Sequence, residues 1–146
     1  MTTSTNTRYA RRVDRLPAGV AVPEEDPIDL EPMLGVWRNA NRRTWGICAV
    51  ELTLRGEQVW AHAWAADPAA GEIHDWGEVP LDGIYAESPV STRVCGYRAT
   101  FDLGHARTQI QVNVLHSISV CAAFTTFTDG SGRSAYMSRE FLHRRG

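Results

Sequence analysis

Long apolar runs are missing from this chain. No segment approaches the about 20 apolar residues that a helix needs to span a bilayer. The opening MTTSTNTRYARRVDRL carries arginines without the apolar stretch of a secretory leader, so a cytoplasmic location is expected. Cysteine is scarce. Cys48, Cys95 and Cys121 make an odd number without C-x-x-C spacing, which excludes a disulfide framework and reads as buried free thiols. Excess charge of either sign is also missing. A net charge of −2 gives no general attraction to nucleic acid or to an anionic membrane, and neither is expected as a partner. There is no G-x-S-x-G elbow, no phosphate loop and no cysteine with an evident histidine partner, so signatures of nucleophilic and phosphoryl-transfer chemistry are lacking.

What is present is an ordinary globular composition, 43% hydrophobic and 22% charged over 146 residues, the length of one domain. Residues 1–30 stand apart. They begin with Ser and Thr, carry Arg8, Arg11, Arg12 and Arg15, then turn acidic at Glu24, Glu25 and Asp26. Such a segment buries too little apolar area to offset its ordering, so a flexible N-terminal arm over 1–30 and a folded domain over 31–146 are expected.

From Leu34 onward the rhythm has period two. In ICAVELTLRG, Cys48, Val50, Leu52 and Leu54 share one face. VCGYRATFDLG alternates Cys95, Tyr97, Ala99, Phe101 and Leu103 with polar residues, and RTQIQVNVLHS does so with Ile110, Val112 and Val114. In SISVCAAFTTF, Ile118, Val120, Ala122 and Phe124 line up, and RSAYMSREFLHR sets Met137 and Phe141 opposite Ser138, Glu140 and Leu142. Turns at Arg55-Gly56-Glu57, Leu103-Gly104-His105 and Asp129-Gly130-Ser131-Gly132 separate these runs. About eight strands result. An antiparallel sheet with one apolar face and no helix to cover it should curl and close, so an all-β, eight-stranded up-and-down barrel is expected.

The first strand, Met33-Leu34-Gly35-Val36-Trp37-Arg38-Asn39, carries Gly-x-Trp. It resembles the opening strand of the calycin superfamily (lipocalins, fatty-acid-binding proteins, avidins), and Gly-x-Trp-x-Asn is similar to the avidin opening. The resemblance implies a barrel whose tryptophan plugs the closed end. The avidin biotin site also uses tryptophans on later strands, and AAFTTF and SAYMSREF contain none. The eight-strand plan also resembles small barrel cyclases of natural-product pathways, such as spirotetronate cyclases and allene oxide cyclase. The stretch Asp75-Trp76-Gly77-Glu78-Val79-Pro80 is similar to a group of uncharacterised bacterial small barrels, which implies no activity.

The strand phases nominate inward residues, and with them a ligand-binding set of Trp37, Tyr97, His116, Phe124 and Arg139. Arg139 is expected either to stack on Trp37 or to meet an anionic group of a ligand. His116 is expected either in that set or in a Leu115-His116-Ser117 turn facing water. In VWAHAWAA, Trp60, His62 and Trp64 share one face and Val59, Ala61, Ala63 and Ala65 the other. Alanines inward would leave an exposed aromatic stripe suited to a subunit interface and hence a homo-oligomer. Tryptophans inward would make stacking walls with His62 as an acid or base. Alternation leaves both open, with the first preferred. EIHDWGEVP reads as a loop entering a strand at the barrel rim, with Asp75, Trp76 and Glu78 at the edge and Gly77 able to host a bulge. A bulge there would bring Asp75 and Glu78 onto one side. No metal site and no cofactor is expected.

Three functions follow from such a molecule. The first is a carrier holding one small, mainly apolar or aromatic molecule. The second is a cyclase or isomerase using the cavity, with His62, His116, Tyr97 or Asp75 moving protons. The third is an assembly protein with a filled interior.

Overall fold

The computed structural model describes residues 27–67 and 71–144. Most of the expected arm therefore lies outside the described residues. At its end the chain is already attached: the Asp29 N–H donates to the Thr92 carbonyl at 2.8 Å, and Ile28 and Leu30 pack on the core. A 3₁₀ turn at Glu31–Met33 then leads into the sheet, which makes up the rest of the architecture among the described residues.

Nine antiparallel strands form it: β1 (Gly35–Asn39), β2 (Ile47–Arg55), β3 (Gln58–Asp67), β4 (Glu72–Pro80), β5 (Gly83–Ala86), β6 (Val94–Asp102), β7 (Ala106–Leu115), β8 (Ile118–Phe127) and β9 (Tyr136–His143). Their order is β4-β3-β2-β1-β9-β8-β7-β6-β5, one sheet curled into a half-barrel. Eight strands were expected and nine are found because the fourth breaks after Pro80. Proline offers no N–H to a ladder, and beyond it the chain changes partner. The Leu81 N–H still donates to Val59 on β3 at 3.0 Å, and the Asp82 N–H donates to Arg98 on β6 at 2.8 Å. The two outermost strands of the sheet, β4 and β5, are thus consecutive in the chain.

The concave side is a packed core. Trp37, Phe101, Met33, Ile47, Leu52, Ile110 and Leu142 are its largest fully buried side chains. Trp37 is fixed twice over, its Nε1–H donating to the Met33 carbonyl at 2.9 Å and the Arg144 guanidinium lying 5.1 Å from its ring centre. Arg144, not Arg139, is therefore the cation on this tryptophan. Gly96 lets β6 and β7 approach closely: a Cβ there would meet the Val112 carbonyl oxygen at 2.6 Å.

Alternation assigns the faces of β3, β6 and β7 as expected, with Ala61, Ala63, Tyr97, Ala99, Phe101, Ile110 and Val112 inward. On β8 and β9 the faces are reversed. Ser119, Cys121, Ala123 and Thr125 point inward on β8, as Leu142 does on β9, whereas Phe124, Met137 and Phe141 are exposed. The cause is volume. Ala123 and Cys121 stand beside the inward Ile110 and Val112 of β7, and a curled interior filled by large residues on one strand takes small ones on the next. The displaced large side chains stand opposite one another outside as cross-strand neighbours, Phe124 with Met137 and Val120 with Phe141. Of the three thiols, all free, Cys121 is buried and Cys48 and Cys95 are half-buried. A bulge between Ile47 and Ala49 takes Cys48 out of the inward row.

Candidate functional site

The open end of the half-barrel holds a cleft of about 790 Å³. Its floor is the last inward layer of the sheet: Ala106 and Thr108 from β7, Thr125 from β8 and Ala65 from β3. Thr108 and Thr125 are buried and share a hydrogen bond of 2.9 Å between their hydroxyls. Its walls are aromatic, with Trp45 before β2, Trp76 on β4, Phe127 at the end of β8 and Tyr136 at the start of β9. Trp76 leans on Phe101 with ring centres 5.6 Å apart, and Phe127 lies 6.1 Å from Tyr136. Trp45 is held by no packing layer and is 72% exposed. Polar residues ring the mouth, among them His74, His105 and Arg133.

Arg133 is placed by the Asp129–Ser131 turn. Its guanidinium lies 3.9 Å from the Phe127 ring centre and 2.7 Å from Asp129 Oδ2. Bonds from Ser131 and Arg133 hold the Asp129 carboxyl down to about 2. The loop that closes this side of the cleft is thus tied by its own side chains.

EIHDWGEVP supplies the opposite wall. Ala63 pairs with Gly77 and Trp64 with Asp75, so Trp76 is the extra residue of a β-bulge. Gly77 makes this possible at φ +81°, a backbone shape that side-chain-bearing residues rarely take. Two consequences follow. Trp76 swings into the cleft, and Asp75 and Glu78 both come to face β3 from outside. There His62 lies between them. Its Nε2 is 2.6 Å from Asp75 Oδ1 and its Nδ1 is 3.6 Å from Glu78 Oε1. The same Asp75 oxygen accepts the Gly77 N–H at 2.7 Å. Those two bonds, the backbone one foremost, lower the Asp75 pKa below the ordinary carboxylate range. Arg55 reaches the other side of Glu78 at 2.7 Å and spreads over Trp60, 5.3 Å from its centre. His62 is stacked on Trp64 at 3.9 Å.

Set against the sequence expectations, the residues divide into four places. Asp75, Trp76 and Glu78 are at the rim, with Trp76 in the cleft. Trp60, His62 and Trp64 lie outside and the β3 alanines inside, and the aromatic stripe is half-buried under Arg55 and its own stacking. Trp37 and Tyr97 are inside but sealed, 1% and 2% exposed. Burial pushes the Tyr97 phenol well above its usual range. His116 is in the β7–β8 turn at φ 51°, with Arg93 at 3.3 Å, while Phe124 and Arg139 are on the convex face. The five expected ligand contacts are thus spread over the core, a turn and the convex face.

Trp45, His105, Phe127, Arg133 and Tyr136, which do line one, were not singled out from the sequence. They lie at strand ends and in turns, and only long-range pairing brings them together. The one local signal was that His105, Phe127, Arg133 and Tyr136 lie in or close to the turns expected at Leu103-Gly104-His105 and Asp129-Gly130-Ser131-Gly132. Among the described residues no three His, Cys, Asp or Glu side chains are placed to share a metal ion, and no helix is long and apolar enough to cross a membrane. No family model, no curated protein and no solved structure matches this chain.

Proposed function

We propose that the protein binds one small, mainly aromatic or apolar molecule in the mouth cleft of the half-barrel. The observation that carries this reading is the cleft itself: four aromatic side chains around a space of about 790 Å³, closed below by a hydrogen-bonded threonine pair. That size and lining suit a small organic ligand, with aromatic walls for contact and a few polar groups for orientation. The sealed interior supports the mouth over the barrel centre as the place of binding. A calycin-like relationship is supported by Gly35 and Trp37 on the first strand, with Arg144 over the tryptophan ring.

Fluorescence titration with the neutral aromatic probe N-phenyl-1-naphthylamine, together with native mass spectrometry of the freshly purified protein, tests it. One bound molecule per chain is expected, with affinity reduced at least tenfold in Trp45→Ala and Tyr136→Ala. Both side chains are largely exposed, so the fold should survive. Binding unchanged in both variants would remove the cleft from consideration.

A second reading has a specific observation behind it. Asp75 contributes to the cleft lining beside Trp76, while its carboxylate, on the outer side of the bulge, is bonded to a histidine at 2.6 Å, a pair able to take and return a proton. As a cyclase or isomerase the protein would rearrange a bound molecule, and Asp75→Asn would bind it without converting it.

A further inference from the structure

The bulge joins two sites that lie on opposite faces of the sheet. On the convex side His62 reaches Asp75 at 2.6 Å; on the concave side Trp76, the next residue, forms a wall of the cleft. Between them one oxygen, Asp75 Oδ1, accepts both from His62 and from the Gly77 N–H. The bulged Trp76 is left out of the ladder, and the bond from the Gly77 N–H to Asp75 Oδ1 spans it, tying the residues on its two sides together. Moving Asp75 therefore moves the backbone on both sides of Trp76.

We infer that His62 is a positioning residue for the cleft: through Asp75 and the Trp76–Gly77 bulge, its protonation state sets the placement of Trp76 and thereby ligand affinity. This rests on the cleft being the binding site.

The charges around His62 give the direction. Asp75 and Glu78 face it from β4, Glu51 is its cross-strand partner on β2, and Arg55, also from β2, is already paired with Glu78. On its own strand Trp60 and Trp64 flank it. When the ring is protonated both nitrogens donate, so Asp75 and Glu78 are tied to one cation and the bulge is closed down. When it is neutral only one nitrogen donates. The bond to Asp75 then loses the attraction between two opposite charges, although the carboxylate acceptor keeps it charge-assisted, and Glu78 keeps Arg55 alone. Trp76 should be held more loosely, and affinity should fall a few-fold when His62 loses its proton.

The test is read first without any ligand. Indole N–H signals of the ¹⁵N-labelled protein are followed from about pH 5 to about pH 8, the range of histidine titration, in wild type, His62→Gln and His74→Gln. The Trp76 signal is expected to shift with the midpoint of the His62 ring protons in wild type and in His74→Gln. In His62→Gln, which keeps a neutral donor, it should be flat. A Trp76 signal that is flat in wild type, or that still titrates in His62→Gln, overturns the coupling. The affinity of N-phenyl-1-naphthylamine is then measured at both ends of the range. A few-fold loss at high pH, absent in His62→Gln, supports the inference; affinity independent of pH in wild type overturns it while leaving the cleft as the site. Absence of probe binding at every pH would instead count against the cleft, because the indole titration stands without it.

Discussion

Neighbouring residues on β9 carry the sharpest test of which way the sheet faces. Leu142 is 1% exposed and Phe141 57%. Leu142→Ala leaves a cavity among the core side chains and should cost about 2–5 kcal/mol, whereas Phe141→Ala should cost under about 1 kcal/mol. Urea unfolding of the two variants decides it. Titratable residues make a second prediction. Burial pushes the Cys121 thiol up to about 12, so in the unfolded chain it ionises near 9 and in the folded one it does not. Its contribution is intact below pH about 9 and declines as pH rises toward 12. Native protein at pH about 8 should alkylate Cys121 far more slowly than the half-buried Cys48 and Cys95, as peptide mapping would show. Asp129 works in the opposite direction. Its pKa is lowered from 3.8 to about 2, so the stability it lends is present above pH about 4 and is lost as pH falls toward 2. Asp129→Asn should flatten the acid limb of a melting-temperature profile.

At the scale of elements, strand existence and order of contact were legible and strand facing was only partly so. Period two located the strands to within a few residues, apart from β4 and β5, which it read as one, since hairpin turns with Gly56, Gly104 and Gly130 delimit them. On β8 the sequence offers two alternating rows, Ile-Val-Ala-Phe and Ser-Cys-Ala-Thr, and apolarity alone chooses the first for the core. The space available chooses the second, because β7 has already filled that part of the interior with Ile110 and Val112. No local pattern records how much volume a neighbouring strand consumes. The bulge was different: Gly77 marks it, and so the facing of Asp75 and Glu78 could be foreseen as a consequence. Gly77→Ala should destabilise by about 1–2 kcal/mol from backbone strain alone, there being room for the methyl group. It should also abolish the co-facial placement of Asp75 and Glu78 and release His62 from them, a change that the His62 ring nitrogen signals would report.

At the scale of the whole molecule, the curl of one sheet creates three separate environments, and the five tryptophans sample all of them. Trp37 is sealed in the core, Trp60 and Trp64 lie on the convex face, and Trp45 and Trp76 line the mouth. The barrel-like fold follows from a sheet with one apolar face and no helix to cover it. The cleft does not follow from any segment. It exists only where six strand ends meet, which is why sequence phases directed attention to the interior instead. Titrating N-phenyl-1-naphthylamine into ¹⁵N-labelled protein and following the five indole N–H signals separates these environments in one experiment. Shifts at Trp45 and Trp76 with Trp37, Trp60 and Trp64 unmoved are the predicted result. Shifts confined to Trp37, or to Trp60 and Trp64, would place the ligand in the core or on the convex face and contradict the account.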